Sequence, residues 1–249
     1  MKKDRRRYLS SPSANSPRRF SRELGVLYED DSVVAVNKPP GLLAVPAPGS
    51  DSPSALSLLS EHLAGRRQRI FTVHRIDRFA SGVLLFAKTH LDRDALVRQF
   101  LAHTPVRRYL VVVRGHLSDE QGTLVQHFRK EGMHQKLTSA NDPKAARAEL
   151  TYSVESSLRG ASLLRVGLVT GLQNQIRVQL VAAGHPVIGD RKYSPKEASE
   201  TRINRVALHA EYLQFAHPRL GEPVTVECEP PPDFRSLLNA LLPRGGGHH

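Results

Sequence analysis

Short apolar runs separated by polar turns make up most of the chain, and stretches with helical spacing of apolar residues are fewer. Runs rich in β-branched and aromatic residues predict one strand within 26–36, after an acidic turn. Further strands are predicted over 71–73, 83–88, 106–114, 148–155, 162–169, 206–215 and 224–229. Apolar residues at helical spacing predict helices over 54–63, 89–102, 173–183 and 234–242. Because strands dominate without regular alternation with helices, the pattern predicts an α+β fold with a mixed, largely antiparallel sheet and flanking helices.

One stretch, FTVHRIDRFASGVLLFAKT at Phe71–Thr89, joins two of these strands through a polar loop, with Ser81-Gly82 as a turn or bulge signal. Asp77 lies on the loop between Arg75 and Arg78, whose charges favour the ionised carboxylate. A carboxylate positioned between rigid strands is suited to act as a nucleophile or a base. Spacing alone leaves a second interpretation open, in which an Arg–Asp ion pair only ties the loop together.

The composition along the chain divides it into three parts. Residues 1–22 are basic and rich in Ser and Pro without apolar periodicity, which predicts a disordered basic arm. Residues 23–243 are expected to form one domain, followed by a tail over 244–249 of the kind left by an expression tag. Within the domain, residues 115–145 are polar and basic and predict a long hairpin or loop.

The charge balance adds a class of partner. The chain has 249 residues, with 36 Lys and Arg against 24 Asp and Glu, and a net charge of +12. Such an excess favours a polyanion, most often nucleic acid, although a generically basic soluble protein is the alternative. The single cysteine, Cys228, excludes an internal disulfide and fits a reducing cytoplasm, and no apolar run is long enough to cross a bilayer.

Twelve histidines raise the question of a metal site. Their spacing matches no metal-binding motif and no cysteine cluster accompanies them, so we predict no metal site. In this interpretation His74, His185 and His209 form hydrogen bonds at loop or strand ends. The chain also lacks a phosphate-loop pattern, so a nucleotide cofactor is not expected.

Five blocks resemble, in the same order, the signatures of RNA pseudouridine synthases of the RluA family. HRIDRFASGVLLFAK, at 74–88, is similar to HRLDxxTSGLLLxAK. The other blocks are NKPPGLLAVP at 37–46, RRYLVVVRG at 107–115, TGLQNQIRVQLVAAGHPVIGDRKY at 170–193 and LHAEYLQFAHP at 208–218. One such block would be a weak signal, but five in order over roughly residues 24 to 229 are specific.

The resemblance implies a pseudouridine synthase fold with a catalytic cleft, and isomerisation of uridine in structured RNA without a cofactor. The RNA would be a tRNA or large-subunit ribosomal RNA. Asp77 would be catalytic, by adding to C1′ or by removing the 2′ proton. Tyr109 would stack on the uracil and move a proton, and Arg177 would pair with Asp77. Without the resemblance, Tyr109 is a packed strand tyrosine and Arg177 an ordinary exposed helix arginine.

The same blocks supply the predicted RNA-binding residues. These are Lys38, His74, Arg75, Arg78, Ser81, Asn174 and Gln175. Arg75 would help to hold the duplex open or would occupy the vacated stack while the target base is flipped. Without the resemblance, Lys38 is a solvated surface lysine on a loop.

The chain also departs from the family pattern, with Ala80 in place of Thr and Leu172-Gln173-Asn174 in place of Arg, Thr and His. These changes bear on the identity of the substrate, since the three predicted catalytic residues remain. The alternative is an inactive, basic RNA-binding or ribosome-assembly protein on the same scaffold. A carboxylate glycosidase would need a second acid, and the matched blocks contain none. We expect a cytoplasmic monomer.

Overall fold

The computed structural model describes residues 8–9, 24–49, 52–64, 69–132, 134–194 and 202–243. In these ranges the strands are β1 (Tyr8–Leu9), β2 (Leu24–Glu29), β3 (Val33–Lys38), β4 (Phe71–Thr72), β5 (Ser81–Ala87), β6 (Val106–Arg114), β7 (Gln121–Glu131), β8 (His134–Thr138), β9 (Ala146–Leu158), β10 (Ala161–Leu168), β11 (Leu208–Ala216) and β12 (Pro223–Glu227). The helices are α1 (Ala55–Ala64), α2 (His90–Leu101), α3 (Gln175–Ala182) and α4 (Pro232–Leu241). The chain forms two compact units, one of Met1–Arg107 with Ala210–Glu229 and the other of Arg108–His209 with Pro230–His249.

The first unit is built on strands in the order β1-β2-β3-β5-β11, with β4 added to β5 and β12 to β11. Every residue of β5 is buried, so this strand forms the centre of the unit. Val34, Val36, Leu84 and Phe86 pack on α1 in one apolar cluster. On the opposite face Val33, Ala35, Val83 and Leu85 join Leu96 of α2 in a second cluster. The alternation of side chains along a strand divides the residues between these clusters.

We predicted that residues 26–36 contain one strand after an acidic turn, and the structure has that strand, β3, and a second strand, β2, before the turn. Asp30 accepts hydrogen bonds through Oδ1 from the backbone N–H groups of Ser32 (2.7 Å) and Val33 (2.9 Å). A short side-chain acceptor that binds the following amides stabilises a turn. The acidic turn therefore separates β2 from β3, and the two strands pair in an antiparallel manner.

Gly82 was predicted to mark a turn, but it lies inside β5, near its start. Its φ of +112° and its close approach to Ala210 explain the glycine, because a Cβ here would lie 2.1 Å from the Ala210 carbonyl oxygen. The start of α2 agrees with the prediction. Thr89 Oγ1 accepts from the Asp92 N–H at 3.1 Å and donates to Asp92 Oδ2 at 2.7 Å, which is a capping arrangement.

The second unit contains the antiparallel strands β6-β10-β9-β7-β8, with α3 and α4. We predicted a long hairpin or loop over residues 115–145, and the structure forms the β7–β8 hairpin there. Phe128 of β7 and Ala148 of β9 pack on Val178 of α3, which fixes this helix on the sheet.

The protein is therefore α+β, with a mixed, largely antiparallel sheet and flanking helices, as predicted. Of the predicted basic arm only Tyr8–Leu9 are described, and they pair with Leu24 and Gly25. The rest of residues 1–22 and the tail over 244–249 lie outside the described residues. No helix in the described ranges is long and apolar enough to span a bilayer.

Candidate active site

Asp77 opens a β-turn at the end of the loop between β4 and β5. The N–H of Ala80 donates to the Asp77 carbonyl at 3.1 Å, which closes the turn and leaves Arg78 and Phe79 at its corner. Both corner residues are exposed, whereas Ile76 and Ala80 on either side are buried. Asp77 is therefore half-buried, and the buried residues Ile76 and Ala80 hold the backbone on either side of the exposed corner.

Lys38 anchors this turn from beneath. Its side chain is 0% exposed, and Nζ donates to the carbonyls of Pro39 (2.9 Å), Leu42 (2.9 Å) and Arg78 (3.1 Å). We predicted a loop lysine that meets an RNA phosphate, whereas Lys38 ends β3 and its ammonium group donates inside the protein. A buried ammonium that donates to three carbonyls joins the 39–42 loop to the Asp77 turn.

Arg78 and Gly41 make a reciprocal contact that reinforces this anchor. The N–H of Gly41 donates to the Arg78 carbonyl at 2.8 Å, and Arg78 Nε donates to the Gly41 carbonyl at 3.0 Å. The guanidinium carbon of Arg78 lies 5.5 Å from the centroid of the Phe79 ring. Arg78 thus supports the turn with its backbone and Nε while its side chain remains exposed.

His74 holds the other end of the loop. The N–H of Leu85 donates to His74 Nε2 at 3.1 Å, and the imidazole stacks on Phe100 with ring centroids 4.6 Å apart. Burial, with a smaller contribution from the charge of Arg107, lowers the pKa of His74 to about 3, so the ring is neutral. The structure shows the hydrogen bond at a strand that we predicted for His74, and its contact with RNA stays a prediction.

The remaining predicted residues of this loop differ in exposure. Ser81 is buried at the start of β5, so its predicted contact with RNA has no support from its exposure and stays a prediction. Arg75 is exposed, as a residue that replaces a flipped base must be.

In the second unit, Arg177 of α3 is paired with a residue that we did not single out from the sequence. Its Nε and Nη2 donate to Asp190 Oδ2 and Oδ1, each at 2.8 Å, and both side chains are buried. Burial alone would raise the pKa of Asp190, but the bonds from Arg177 and from two backbone N–H groups outweigh it and lower the pKa. Asp190 therefore stays ionised, and the predicted pairing of Arg177 with Asp77 stays a prediction.

Asn174 precedes α3 and orients two side chains. Its Oδ1 accepts from Arg177 Nη1 at 2.9 Å, and its Nδ2 donates to the Tyr193 hydroxyl at 3.1 Å. The guanidinium carbon of Arg177 lies 4.9 Å from the centroid of the Tyr193 ring. Asp190 and Tyr193 are the D and Y of the GDRKY sequence, so a signal for both was present in the matched block.

Gln175 was predicted to contact RNA, and the structure places its side chain among internal hydrogen bonds. Its Oε1 accepts from Thr170 Oγ1 and from the Leu172 N–H, each at 2.9 Å. Its Nε2 donates to the Glu149 carbonyl at 3.0 Å and to Gln179 Oε1 at 2.9 Å. All four hydrogen-bonding positions of this buried amide are used, so Gln175 fixes α3 on β9.

Tyr109 lies on β6 opposite Val166 of β10 and is 8% exposed. Its neighbour Arg108 is exposed, while the strand from Tyr109 to Val113 is buried on both faces. Among the described residues, no group of three or more His, Cys, Asp or Glu side chains is arranged to hold a metal ion.

Comparisons with known proteins agree with this fold and with these blocks. Residues 32–182 match the family model described as RNA pseudouridylate synthase. The ribosomal large subunit pseudouridine synthase D of Zymomonas mobilis is 32% identical over 246 residues, which cover 94% of this chain and 77% of that protein. The dual-specificity RNA pseudouridine synthase RluA of Yersinia pestis is 32% identical over 209 residues, covering 82% of this chain and 98% of that protein.

Among solved structures, human RNA pseudouridylate synthase domain containing 4 is similar in fold. Its TM-score is 0.72 at 22% identity, and the match covers 86% of this chain and 91% of that chain. The alternative of an inactive RNA-binding protein is not favoured by the sequence relatives. The chain belongs to the RNA pseudouridylate synthase family and is an enzyme that isomerises uridine in RNA to pseudouridine.

Proposed function

We propose that Asp77 is the catalytic carboxylate of this uridine isomerase. The observation that carries the proposal is the anchored turn, because Lys38 and Gly41 bind the backbone of Arg78 directly after Asp77. Catalytic groups act well when supporting contacts hold them in a fixed geometry. Structural ion pairing alone would not require a buried lysine to hold the corner of an exposed turn.

The chemistry leaves two routes for this carboxylate. In the first, Asp77 adds to C1′ as the N1–C1′ bond breaks, and the electron pair of that bond leaves with the uracil. The uracil then turns, C5 attacks C1′, the carboxylate is released and a base removes the C5 proton while N1 is protonated. In the second, Asp77 removes the 2′ proton, a C1′–C2′ double bond forms as the N1–C1′ bond breaks, and the uracil leaves as an anion. The uracil then joins C1′ through C5 as a proton returns to C2′, and a base removes the C5 proton while N1 is protonated. Product and substrate are isomers, so neither route consumes an oxidant, a reductant or a group donor.

Two residues of the second unit complete the proposal. Tyr109 stacks on the flipped uracil, and its hydroxyl moves a proton. Arg177 pairs with the Asp77 carboxylate and orients it. Support for Arg177 comes from its fixed guanidinium, which Asp190 and Asn174 hold by three hydrogen bonds.

We further propose that the substrate is a tRNA or large-subunit ribosomal RNA and that the enzyme acts in the cytoplasm as a monomer. Similarity to the ribosomal large subunit pseudouridine synthase D of Zymomonas mobilis supports a ribosomal substrate, and similarity to the dual-specificity RNA pseudouridine synthase RluA of Yersinia pestis supports including a second RNA. Mapping pseudouridine in total RNA with and without the gene identifies the site. If no uridine in tRNA or in large-subunit ribosomal RNA loses its modification in the deletion strain, this substrate assignment is contradicted.

Asp77→Asn tests the catalytic assignment. Asparagine keeps the shape of the side chain but loses the nucleophile or base, so we expect no isomerisation and nearly unchanged RNA affinity. The measurement is tritium release from transcribed tRNA and large-subunit ribosomal RNA labelled at C5 of uridine. Asp94→Asn is the matched control, since Asp94 is an exposed carboxylate that pairs with Arg93 on α2. Release near the wild-type rate from Asp77→Asn would overturn the assignment.

A further inference from the structure

The corner of the Asp77 turn presents an aromatic ring and a guanidinium together. Phe79 is 42% exposed, and the Arg78 guanidinium lies over its ring. A single exposed phenylalanine needs no explanation in a soluble protein. This one lies two residues after the proposed catalytic carboxylate of an enzyme whose substrate is RNA.

The corner is held in place by buried groups. The Ala80-to-Asp77 bond closes the turn, and the Arg78 carbonyl accepts from Lys38 Nζ and from the Gly41 N–H. An aromatic ring on a fixed corner loses little conformational freedom when it binds a ligand. The ring is therefore preorganised for a flat partner, whereas a ring on a mobile loop would first have to be ordered.

The chemistry of the pair selects the partner. Unpaired RNA bases stack on aromatic rings and on guanidinium planes, and each base has a π-face that accepts such contact. Positions 78 and 79 are the two that the family signature HRLDxxTSG leaves open, so Phe79 belongs to this chain's own sequence.

We propose that Phe79, with Arg78 over its ring, is a stacking platform for one unpaired base of the RNA next to the target uridine. Phe79 contributes affinity and selects for unpaired neighbours, and it takes no part in the bond changes at C1′. The inference rests on the proposed catalytic role of Asp77, because that role places Phe79 beside the target uridine in the substrate complex.

The experiment uses the absence of tryptophan from the chain. In Phe79→Trp the introduced indole is the only tryptophan, and base stacking quenches its fluorescence. The probe is decauridylate, a single-stranded RNA without stable structure, which is added to the full chain at low salt. Binding is followed separately by the fluorescence anisotropy of labelled decauridylate. Leu91→Trp is the matched control, because Leu91 is 82% exposed on α2 in the same unit.

We expect quenching in Phe79→Trp that follows the binding curve, and none in Leu91→Trp. Phe79→Ala should weaken binding about 5- to 100-fold, Phe79→Leu should behave like Phe79→Ala, and Phe79→Trp should keep wild-type affinity or improve it. The slope of log affinity against log salt concentration is negative and should be unchanged in Phe79→Ala. In Arg78→Gln it should become shallower by about 0.7.

Three results would overturn the platform. They are an unquenched indole in the formed complex, equal affinities of Phe79→Ala and wild type, or no binding of decauridylate at low salt. The readout is independent of catalysis, because Asp77→Asn should bind the probe as the wild type does. An active Asp77→Asn variant would remove the catalytic assignment and leave the quenching result intact.

Discussion

At the scale of single residues, Arg177 shows how a motif residue depends on other residues of its own matched block, 170–193. Asp190 binds the guanidinium at two nitrogen atoms, Asn174 binds the third, and the Tyr193 ring lies beside it. Of these three neighbours, Asn174 stands where the family has histidine. A neutral amide oxygen at this position accepts from Arg177 at any pH, whereas a protonated histidine would repel it.

Asp190→Asn should destabilise the protein and lower its turnover. Asparagine keeps the size of the side chain but removes the negative charge that faces Arg177 within this unit. Breaking a buried pair costs about 3–5 kcal/mol of unfolding free energy, whereas exposed pairs contribute about 0–1 kcal/mol. Urea unfolding measures the loss, with Glu155→Gln as the control, since Glu155 pairs with Arg165 at an exposed site. Equal small losses in both variants would contradict the role of Asp190.

The same variant tests a dependence on pH. The pKa of Asp190 is lowered from its ordinary value of 3.8, so its stabilisation is fully present above that value. It is lost as the pH falls through the lower pKa of the folded state. The gap in unfolding free energy between wild type and Asp190→Asn should therefore be constant near neutral pH and narrow in acid. A gap that widens in acid would contradict the sign of the shift.

At the scale of elements, α3 is fixed on the sheet by a buried chain of amides. Gln175 binds Gln179, and Gln179 Nε2 donates to the carbonyls of Leu124 (3.0 Å) and Ala148 (3.2 Å). Gln175→Leu should destabilise the protein, because each buried polar group left without its bond costs about 1–3 kcal/mol. Urea unfolding measures this loss, and Gln121→Leu at an exposed position of β7 is the control.

The structural role of Gln175 also predicts what should stay unchanged. The affinity of Gln175→Leu for decauridylate should equal that of the wild type at temperatures where the variant is folded. A large loss of affinity with full stability would restore Gln175 as an RNA contact.

The elements also show which features a sequence reveals. The cap of α2 could be predicted, because Thr89 and Asp92 are three residues apart and the bond between them is local. The start of α3 was placed two residues early, since Asn174 adopts a left-handed conformation (φ 55°) that no residue pattern indicated. The burial of Lys38 could not be predicted, because one of its acceptors, the carbonyl of Arg78, is 40 positions away.

The same distinction applies to the site. The matched blocks contained Asp77, Tyr109 and Arg177, but the pattern could not separate contacts with RNA from contacts inside the protein. Gln175 and Lys38 are polar residues in the matched blocks, and each has one acceptor in a segment distant in sequence, the carbonyl of Glu149 and the carbonyl of Arg78 respectively. Polar residues near a proposed site are therefore assigned only when burial and partners are known.

At the scale of the whole molecule, the net charge of +12 predicts RNA binding that depends strongly on salt. The structure refines which cations contribute. In the β7–β8 region Arg129 binds Glu131 and Asp142, and Lys136 binds Glu131. Lys136, with Arg129, lowers the pKa of Glu131 to about 2, so this carboxylate is charged at any working pH. These basic residues therefore carry less free positive charge than the sequence indicates.

The salt dependence of decauridylate binding separates paired from exposed cations. Each phosphate contact adds about −0.7 to the slope of log affinity against log salt for a single strand. Arg75→Gln should make this negative slope shallower by about 0.7, because Arg75 is exposed beside the Asp77 turn. Arg129→Gln should change it clearly less, because Glu131 and Asp142 already neutralise that guanidinium. Anisotropy titrations between low and physiological salt give all three slopes. A flat dependence in the wild type would contradict electrostatic binding, and equal changes in the two variants would mean that internal pairing does not decide which cations meet the RNA.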